Sequence, residues 1–196
     1  MDDVLATVEV RRRRFTIEEY YRLAEVGILG PEERVELIEG EIICMSLIGT
    51  HHAVSVAALS RRLLQGVGDR AVLSPQNPVR ILPDSEPQPD IALVRPPEGR
   101  YWEQHPQPAD VLLVVEVSEK SYRYDRGVKL PLYARTGIPE VWIIDLVRGA
   151  VEVFREPGPT GYASEQRVER GGTIAPAAFP DVRIAVDEIL PPHPPS

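Results

Sequence analysis

The segment from residue 111 to residue 146 constrains the fold more than any other part of the chain. It opens with five consecutive apolar residues, Val111 to Val115. An apolar run of this kind predicts a strand that is buried on both faces. A helical segment with Lys129 and Tyr133 follows, and a second β-rich run begins at Val141. Strand, helix and strand within ~35 residues predict a right-handed βαβ unit.

Two acidic residues stand at predicted strand ends. Glu116 follows the apolar run, and the predicted strand ends there, while Asp90 opens a short apolar strand over residues 90–94. Sites in open α/β sheets lie beyond the carboxyl ends of strands. If the two strands are neighbours, the carboxylates converge and repel each other unless a hard cation such as Mg²⁺ binds between them. With a lysine nearby, this set has the groups that metal-assisted phosphodiester hydrolysis needs.

Other elements follow from local signals. Thr16 and Glu19 form a capping-box pattern that predicts a helix from Ile17 to Val26, and Glu39-Gly40 predicts the tight turn of a hairpin. Glu36, on the first strand of that hairpin, is a further candidate for the site. The remaining predictions are a helix over 50–65, strands over 71–73 and 79–82, a surface loop over 95–109, and a hairpin of 150–155 with 162–168.

Two adjacent histidines, His51 and His52, lie in the first turn of the predicted helix over 50–65. They lack the i,i+4 spacing of a two-histidine metal site on a helix. We therefore interpret them as capping or surface residues. The apolar stripe of this helix is predicted to contain Ala53, Val56, Ala57, Leu63 and Leu64.

Composition narrows the class of protein. The formal net charge of −8 argues against broad, unspecific binding to a polyanion. Only two of the 22 basic residues are lysines, Lys120 and Lys129, which hints that a compact ammonium is wanted where they occur. The single cysteine, Cys44, fits a reducing cytoplasm, and no apolar run approaches the ~20 residues of a membrane span. We expect a cytoplasmic protein that does not use a membrane.

The length of 196 residues predicts one domain with one core. We place it at residues 15–190. A flexible basic arm over 1–14, which ends in four arginines, precedes it, and a proline-rich tail over 191–196 follows.

The motifs as a whole resemble a known group. Pro89-Asp90 with Glu116-Val117-Ser118 resembles the PD-(D/E)XK nuclease superfamily. The run from Tyr124-Asp125 through Lys129 and Tyr133 to Asp145 is similar to its Uma-two branch of restriction-endonuclease-like proteins. The likeness extends through the hairpin at Glu36 to Glu41 and covers roughly residues 15–190.

This resemblance implies an α/β (α+β) restriction-endonuclease-like core, a mixed β-sheet flanked by helices. It implies metal ligation by Asp90, Glu116 and the Val117 carbonyl, and it makes Lys129 the catalytic lysine. The position of Glu36 in the hairpin separately makes it a candidate metal ligand. The position two residues after Glu116 usually holds a lysine in the superfamily, but here it is Ser118. Lys129 would therefore have to reach back from the following helix.

Four residues are expected to support the site: Ser118, Tyr124, Asp125 (as a helix cap) and Tyr133. Pro131 removes a helix hydrogen bond unless it lies in the first turn. We therefore predict that this helix begins near Lys129 rather than at Asp125.

The expected function is a Mg²⁺-dependent endonuclease, with Mn²⁺ as the substitute metal, DNA as the first partner and a homodimer as the candidate oligomer. The expected nucleic-acid contacts are Arg61, Arg62, Arg123 and Arg126. Two alternatives stay open: an inactive nuclease-fold protein that acts as a binding or assembly module, and a hydrolase of small phosphoesters. A positive stripe around the Asp90–Glu116 pocket would favour nucleic acid, and an acidic rim would favour the alternatives.

Overall fold

The computed structural model describes residues 12–192, and its central feature is a mixed six-stranded sheet. The strands are β1 (Val35–Ile38), β2 (Glu41–Cys44), β3 (Val72–Pro75), β4 (Ile91–Val94), β5 (Val111–Ser118), β6 (Glu140–Asp145), β7 (Ala150–Gly158), β8 (Gly161–Glu169), β9 (Thr173–Ile174) and β10 (Ile184–Ala185). The main sheet has the order β3-β4-β5-β6-β7-β8, while β1-β2 and β9-β10 form two separate pairs. Only β5 and β6 are parallel within the main sheet, as the βαβ prediction requires.

Four α-helices accompany this sheet within the described residues. They are α1 (Ile17–Glu25), α2 (Thr50–Val67), α3 (Tyr122–Tyr124) and α4 (Leu130–Arg135), with a π-helical turn, Asp125–Lys129, that joins α3 to α4. The predicted mixed sheet flanked by helices is thereby confirmed. No helix within residues 12–192 combines the length and apolarity needed to cross a membrane.

Each face of the sheet covers its own core. On one face, Leu59 and Leu63 of α2 pack with Val115 and Val117 of β5. On the other, Leu132 and Tyr133 of α4 pack with Val114. Since successive side chains of a strand point to opposite faces, Glu116 is directed to the α4 face together with Val114. The alternation along β5 therefore aims this carboxylate at the π turn that ends at Lys129.

Local sequence signals explain the smaller elements. Thr16 and Glu19 form the predicted capping box of α1, with reciprocal hydrogen bonds of 3.2 Å. The turn between β1 and β2 has Glu39 at φ 49° and Gly40 at φ 76°, the left-handed backbone of a primed hairpin turn. A Cβ atom at Gly40 would also collide with Arg14, so glycine is required there on two grounds.

Four expectations about the elements are wrong. Residues 79–82 form no strand, because Pro78 and Pro83 flank them and Ile81 makes only an isolated bridge to Ser85. The strand β5 continues to Ser118, two residues beyond Glu116, so this carboxylate projects from within a strand. The buried stripe of α2 contains Ser55, Val56, Leu59, Leu63 and Val67, while Ala53, Ala57 and Leu64 are exposed.

The fourth concerns Pro131. Helical structure starts at Tyr122, well before Lys129, because the π turn adjusts the hydrogen bonding ahead of the proline. The N–H of Leu130 bonds to the carbonyl of Asp125, and Pro131 then falls in the first turn of α4, where its missing N–H costs little.

The two predicted end segments lie largely outside the described residues. Residues 1–11 of the basic arm and 193–196 of the tail are not described, and Arg12 to Arg14 are exposed.

Candidate active site

A cavity of about 300 Å³ opens where β5, the start of β4, the β1–β2 hairpin and the first turn of α2 meet. Five carboxylates line it: Glu36, Asp90, Glu116, Glu119 and Asp125. The cations at its wall are Arg34, Lys120 and Lys129, and His52 also lines it. Both lysines of the chain therefore face one cavity.

The buried centre of this cavity is a lysine held between two glutamates. The Lys129 Nζ atom lies 3.0 Å from Glu36 Oε2 and 3.2 Å from Glu116 Oε1. These side chains are almost fully buried, with exposed fractions of 3% for Lys129, 2% for Glu36 and 3% for Glu116. The ammonium thus reaches back from the π turn to Glu116 on β5.

Two tyrosines complete this centre. The Tyr133 hydroxyl donates to Glu116 Oε1 at 2.7 Å, and the Tyr124 hydroxyl donates to Glu36 Oε1 at 3.1 Å. The backbone N–H of Gln88 donates to Glu36 Oε2 at 3.0 Å. Both oxygens of Glu36 are therefore engaged, whereas Glu116 Oε2 has no hydrogen bond within residues 12–192.

Burial and charge set the protonation states of this centre. Burial raises the pKa of Glu116 well above its usual value; the Lys129 ammonium opposes this, while Asp125, Asp90 and Glu36 add to the rise. Burial acts to lower the pKa of Lys129, but Glu116 and Glu36 beside it outweigh burial and raise that pKa above its usual value. Lys129 is therefore a stable cation, and Glu116 holds a proton more readily than an exposed glutamate does.

Asp90 lies next to this centre, immediately before β4, the strand that pairs with β5 beside Glu116. The antiparallel register pairs Ile91 with Val115, so Asp90 falls opposite Glu116 one step further along. Asp90 Oδ2 accepts a hydrogen bond of 2.8 Å from the backbone N–H of Val117. The two carboxylates that the sequence placed at strand ends are thus brought together by strand pairing.

Ser118 and Asp125 form a second, smaller cluster. Asp125 Oδ2 accepts hydrogen bonds from the hydroxyls of Ser118 at 2.7 Å and Ser121 at 2.6 Å. Burial raises the pKa of Asp125, although Lys129 and the two hydroxyls act against that rise. Asp125 is a buried acceptor that ties the π turn to the end of β5, and the expectation that its side chain caps a helix is wrong.

The four predicted nucleic-acid contacts do not line the cavity. Arg62 is paired with Glu188 at 2.5 Å, and Arg126 is paired with Glu152 at 2.7 Å and Glu165 at 2.8 Å. Arg61 and Arg123 are exposed. The structure therefore brings none of the four arginines to the carboxylates that line the cavity.

Several residues of the cavity were not predicted, and the one with the most specific contact is His52. His52, interpreted from sequence as a capping or surface residue, lies with its Nε2 atom 3.0 Å from Asp90 Oδ1. The signal lay in the helical period, because positions 52, 55, 56, 59 and 63 share one face, and the last four are buried. The expected stripe was set about one residue away, which turned His52 towards solvent.

Comparison with known proteins gives the cavity a context. The family model Uma2, described as "Putative restriction endonuclease", matches residues 17–187. The chain belongs to the Uma2 family. A crystal structure of "a putative nuclease belonging to DUF820" from Anabaena variabilis ATCC 29413 has a TM-score of 0.68 at 15% identity, covering 89% of this chain and 97% of that chain. The comparison with curated proteins gave no match.

The Uma2 match confirms the resemblance found in the motifs, and the structural likeness shows the fold. Family membership supports a nuclease, and hence a hydrolase, at that level of description. Restriction-endonuclease-like proteins generally use divalent metals, so the donor atoms of this Uma2 cavity decide whether such an ion fits.

The donor set fits a metal that keeps part of its own water shell. Within residues 12–192, no three His, Cys, Asp or Glu side chains form a ready-made metal cluster. The reason is that Lys129 lies between Glu36 and Glu116, while Asp90 faces His52. Mg²⁺ is usually held by one or two carboxylates together with water and substrate phosphates, and this cavity offers two carboxylates on neighbouring strands.

Proposed function

We propose that this protein is a divalent-metal-dependent endonuclease that hydrolyses phosphodiester bonds, with DNA as the first substrate to test. The observation that supports this most strongly is the position of Lys129. Its ammonium lies 3.2 Å from Glu116 Oε1 in the cavity that also contains Asp90. Two acidic residues on paired strands and one buried lysine are the groups that metal-assisted hydrolysis of a phosphodiester requires.

Asp90 and Glu116 are the proposed holders of Mg²⁺ or Mn²⁺, together with the Val117 carbonyl. In an extended strand the N–H and C=O of one residue point to the same side, and the Val117 N–H points to Asp90. The bound metal would polarise a phosphate oxygen and lower the pKa of a water molecule. Glu36 was a candidate ligand, but it already has three contacts against two at Asp90. The Gln88 N–H and the Lys129 ammonium both occupy Oε2, and the Tyr124 hydroxyl occupies Oε1, so we assign Glu36 as the second partner of Lys129.

Lys129 acts in this proposal as a fixed positive charge. Because Glu116 and Glu36 raise the pKa of its ammonium, it stays protonated and is unsuited to take a proton from water. It instead donates hydrogen bonds and offsets the negative charge that develops on the phosphate. The Tyr133 hydroxyl holds Glu116 and the Tyr124 hydroxyl holds Glu36. These two carboxylates in turn fix the position of the ammonium.

Substrate contacts away from the cavity are a separate part of the proposal. Arg61 and Arg123 are exposed and make no ion pair within the described residues, so they are available to phosphates. Arg62 and Arg126 would have to exchange a glutamate partner for a phosphate. A homodimer, in which two such cavities could act on two strands, remains part of the proposal.

The test is cleavage of DNA and RNA substrates in Mg²⁺, Mn²⁺ or EDTA by the wild type, Asp90→Ala and Lys129→Arg. We expect metal-dependent cleavage by the wild type. Asp90→Ala should remove it, and Lys129→Arg should lose on the order of 10²-fold or more, because a planar guanidinium cannot replace a compact ammonium between two carboxylates.

A matched variant controls for general effects. Asp69→Ala removes an exposed aspartate outside the cavity and should retain cleavage. Full activity of Asp90→Ala or of Lys129→Arg would remove that residue from the mechanism, and activity in EDTA would exclude the metal.

A hydrolase of small phosphoesters is the second candidate. It is favoured by the cavity itself, in which five carboxylates outnumber three lysine or arginine side chains among the lining residues that the structure describes. A cavity of about 300 Å³ is at the lower end of the range for small-molecule sites. Hydrolysis of bis(p-nitrophenyl) phosphate without cleavage of either nucleic acid would select this candidate. Absence of both activities, with intact folding, would favour a binding or assembly module.

A further inference from the structure

His52 makes the most specific contact in the cavity that the proposed reaction does not yet use. It lies in the first turn of α2, and its Nε2 atom is 3.0 Å from Asp90 Oδ1. Both side chains are only 15% exposed. The neighbouring His51, by contrast, is exposed and does not line the cavity.

The contact with His52 means that Asp90 is held from two sides. The Val117 N–H holds Oδ2 from within the sheet, and His52 holds Oδ1 from α2. A carboxylate with one contact can rotate about its terminal torsion, whereas contacts on both oxygens, from two separate elements, select one orientation. Each oxygen keeps a second lone pair for a further ligand.

The imidazole has no other polar role in the described residues. A contact to a carboxylate requires Nε2 to carry the hydrogen, which assigns Nδ1 as the acceptor in the neutral ring. This Nδ1 atom is buried and has no hydrogen-bond partner within residues 12–192. An apolar side chain on this stripe would avoid that unpaired nitrogen, so packing and stability alone do not account for a histidine.

We propose that His52 is a positioning residue that orients Asp90 for metal binding. This inference rests on the proposed function, in which Asp90 holds the metal. Groups that orient a metal ligand through a hydrogen bond typically change metal affinity or activity by 10- to 100-fold when they are removed. His52 is thus predicted to act on the metal through Asp90, without touching the metal or the substrate.

Three variants separate this role from packing. His52→Phe keeps a ring but removes the donor, and His52→Gln keeps an N–H donor at a similar distance from the backbone. His51→Phe makes the same ring substitution one residue away, on the exposed side of the same helical turn. Where His52→Phe does not fold, His52→Leu replaces it.

The first measurement is Mn²⁺ binding to the whole protein by titration calorimetry, with kcat and KM for the nucleic acid determined at several metal concentrations. We expect His52→Phe to weaken Mn²⁺ binding about 10- to 100-fold. Its KM for nucleic acid at saturating metal should stay at the wild-type value. His52→Gln should recover most of the Mn²⁺ affinity, and His51→Phe should match the wild type.

The second measurement uses metal-free protein. The amide of Val117 reports on Asp90, because it donates to Asp90 Oδ2. In His52→Phe we expect its ¹H–¹⁵N signal to shift and its hydrogen exchange to accelerate, and in His52→Gln we expect both to return towards wild-type values. His51→Phe should leave this amide unchanged.

These measurements distinguish two failures. If the wild type binds no Mn²⁺ and cleaves nothing, the proposed function fails, and the Val117 amide alone decides whether His52 orients Asp90. If the wild type binds Mn²⁺ and His52→Phe binds it equally well, the positioning role is refuted. An unchanged Val117 amide in His52→Phe, or a His52→Gln variant as impaired as His52→Phe, also refutes it.

Discussion

Replacing Lys129 with methionine should strongly destabilise the protein, because it leaves two buried carboxylates without their cation. Methionine fills a similar volume, so the change removes the charge more than the packing. The Nζ atom lies 3.0 Å from Glu36 and 3.2 Å from Glu116, and each of these side chains is at most 3% exposed. Removing one member of such a buried ion pair costs about 3–5 kcal/mol.

For a domain of this size, 1 kcal/mol corresponds to about 2–4 °C in melting temperature, so we expect Lys129→Met to melt about 6–20 °C below the wild type. The matched control is Lys120→Met, the same change at the other lysine, which is exposed. A surface substitution of this kind is usually worth less than about 0.5 kcal/mol. Scanning calorimetry at pH 7.5 and constant ionic strength measures both variants.

The cause can be separated from a packing defect in two ways. Adding Glu36→Gln to Lys129→Met removes one unpaired carboxylate and should restore part of the lost stability. Lowering the pH should also narrow the gap, because unpaired buried glutamates have folded-state pKa values above their unfolded values. Their protonated forms are then favoured by folding, and that contribution is lost as pH rises. Equal melting of Lys129→Met and Lys120→Met, or a deficit that is independent of pH, would refute the buried ion triad.

Three further predictions address the site and the fold. Glu116→Gln should make the free energy of unfolding less dependent on pH. In the wild type, the raised pKa of Glu116 makes this free energy fall as pH increases above the ordinary glutamate pKa of 4.5. Urea titrations from pH 5 to 8 should therefore show a flatter profile for the variant. Mg²⁺ at ~10 mM with an assumed Kd of ~1 mM should stabilise the wild type by about 1.4 kcal/mol, which raises its melting temperature by about 3–6 °C. Asp90→Asn should gain little from Mg²⁺. Equal shifts of the two melting temperatures in calorimetry would remove Asp90 from the metal site. Gly40→Ala should lower the melting temperature, because alanine would be strained at φ 76° and its Cβ would collide with Arg14. Gly127→Ala should have a much smaller effect, because the added Cβ meets nothing within 4 Å.

The sequence alone determined the architecture around β5 and the identity of its acidic residues. Five apolar residues in a row can form only a buried strand or part of a buried helix, and the turn and helix signals that follow select the strand. The capping box of α1 and the Glu39-Gly40 turn are equally local, because their hydrogen bonds and backbone angles involve only neighbouring residues. The motif spacing that resembles the nuclease family also lies in the sequence, and the Uma2 match confirms it.

Only the tertiary structure decided which side chains meet. Whether Asp90 faces Glu116 depends on the pairing of β4 with β5, and a shift of one residue would turn either side chain to the other face. His52 approaches Asp90 because packing against the sheet sets the rotation of α2 about its axis. The face that packs is turned about one residue from the face that the sequence predicted. Lys129 reaches Glu36 and Glu116 because a π turn precedes Pro131. Strands and turns follow from interactions between near neighbours, whereas the site depends on register and helix rotation, which are set by packing between residues far apart in the chain.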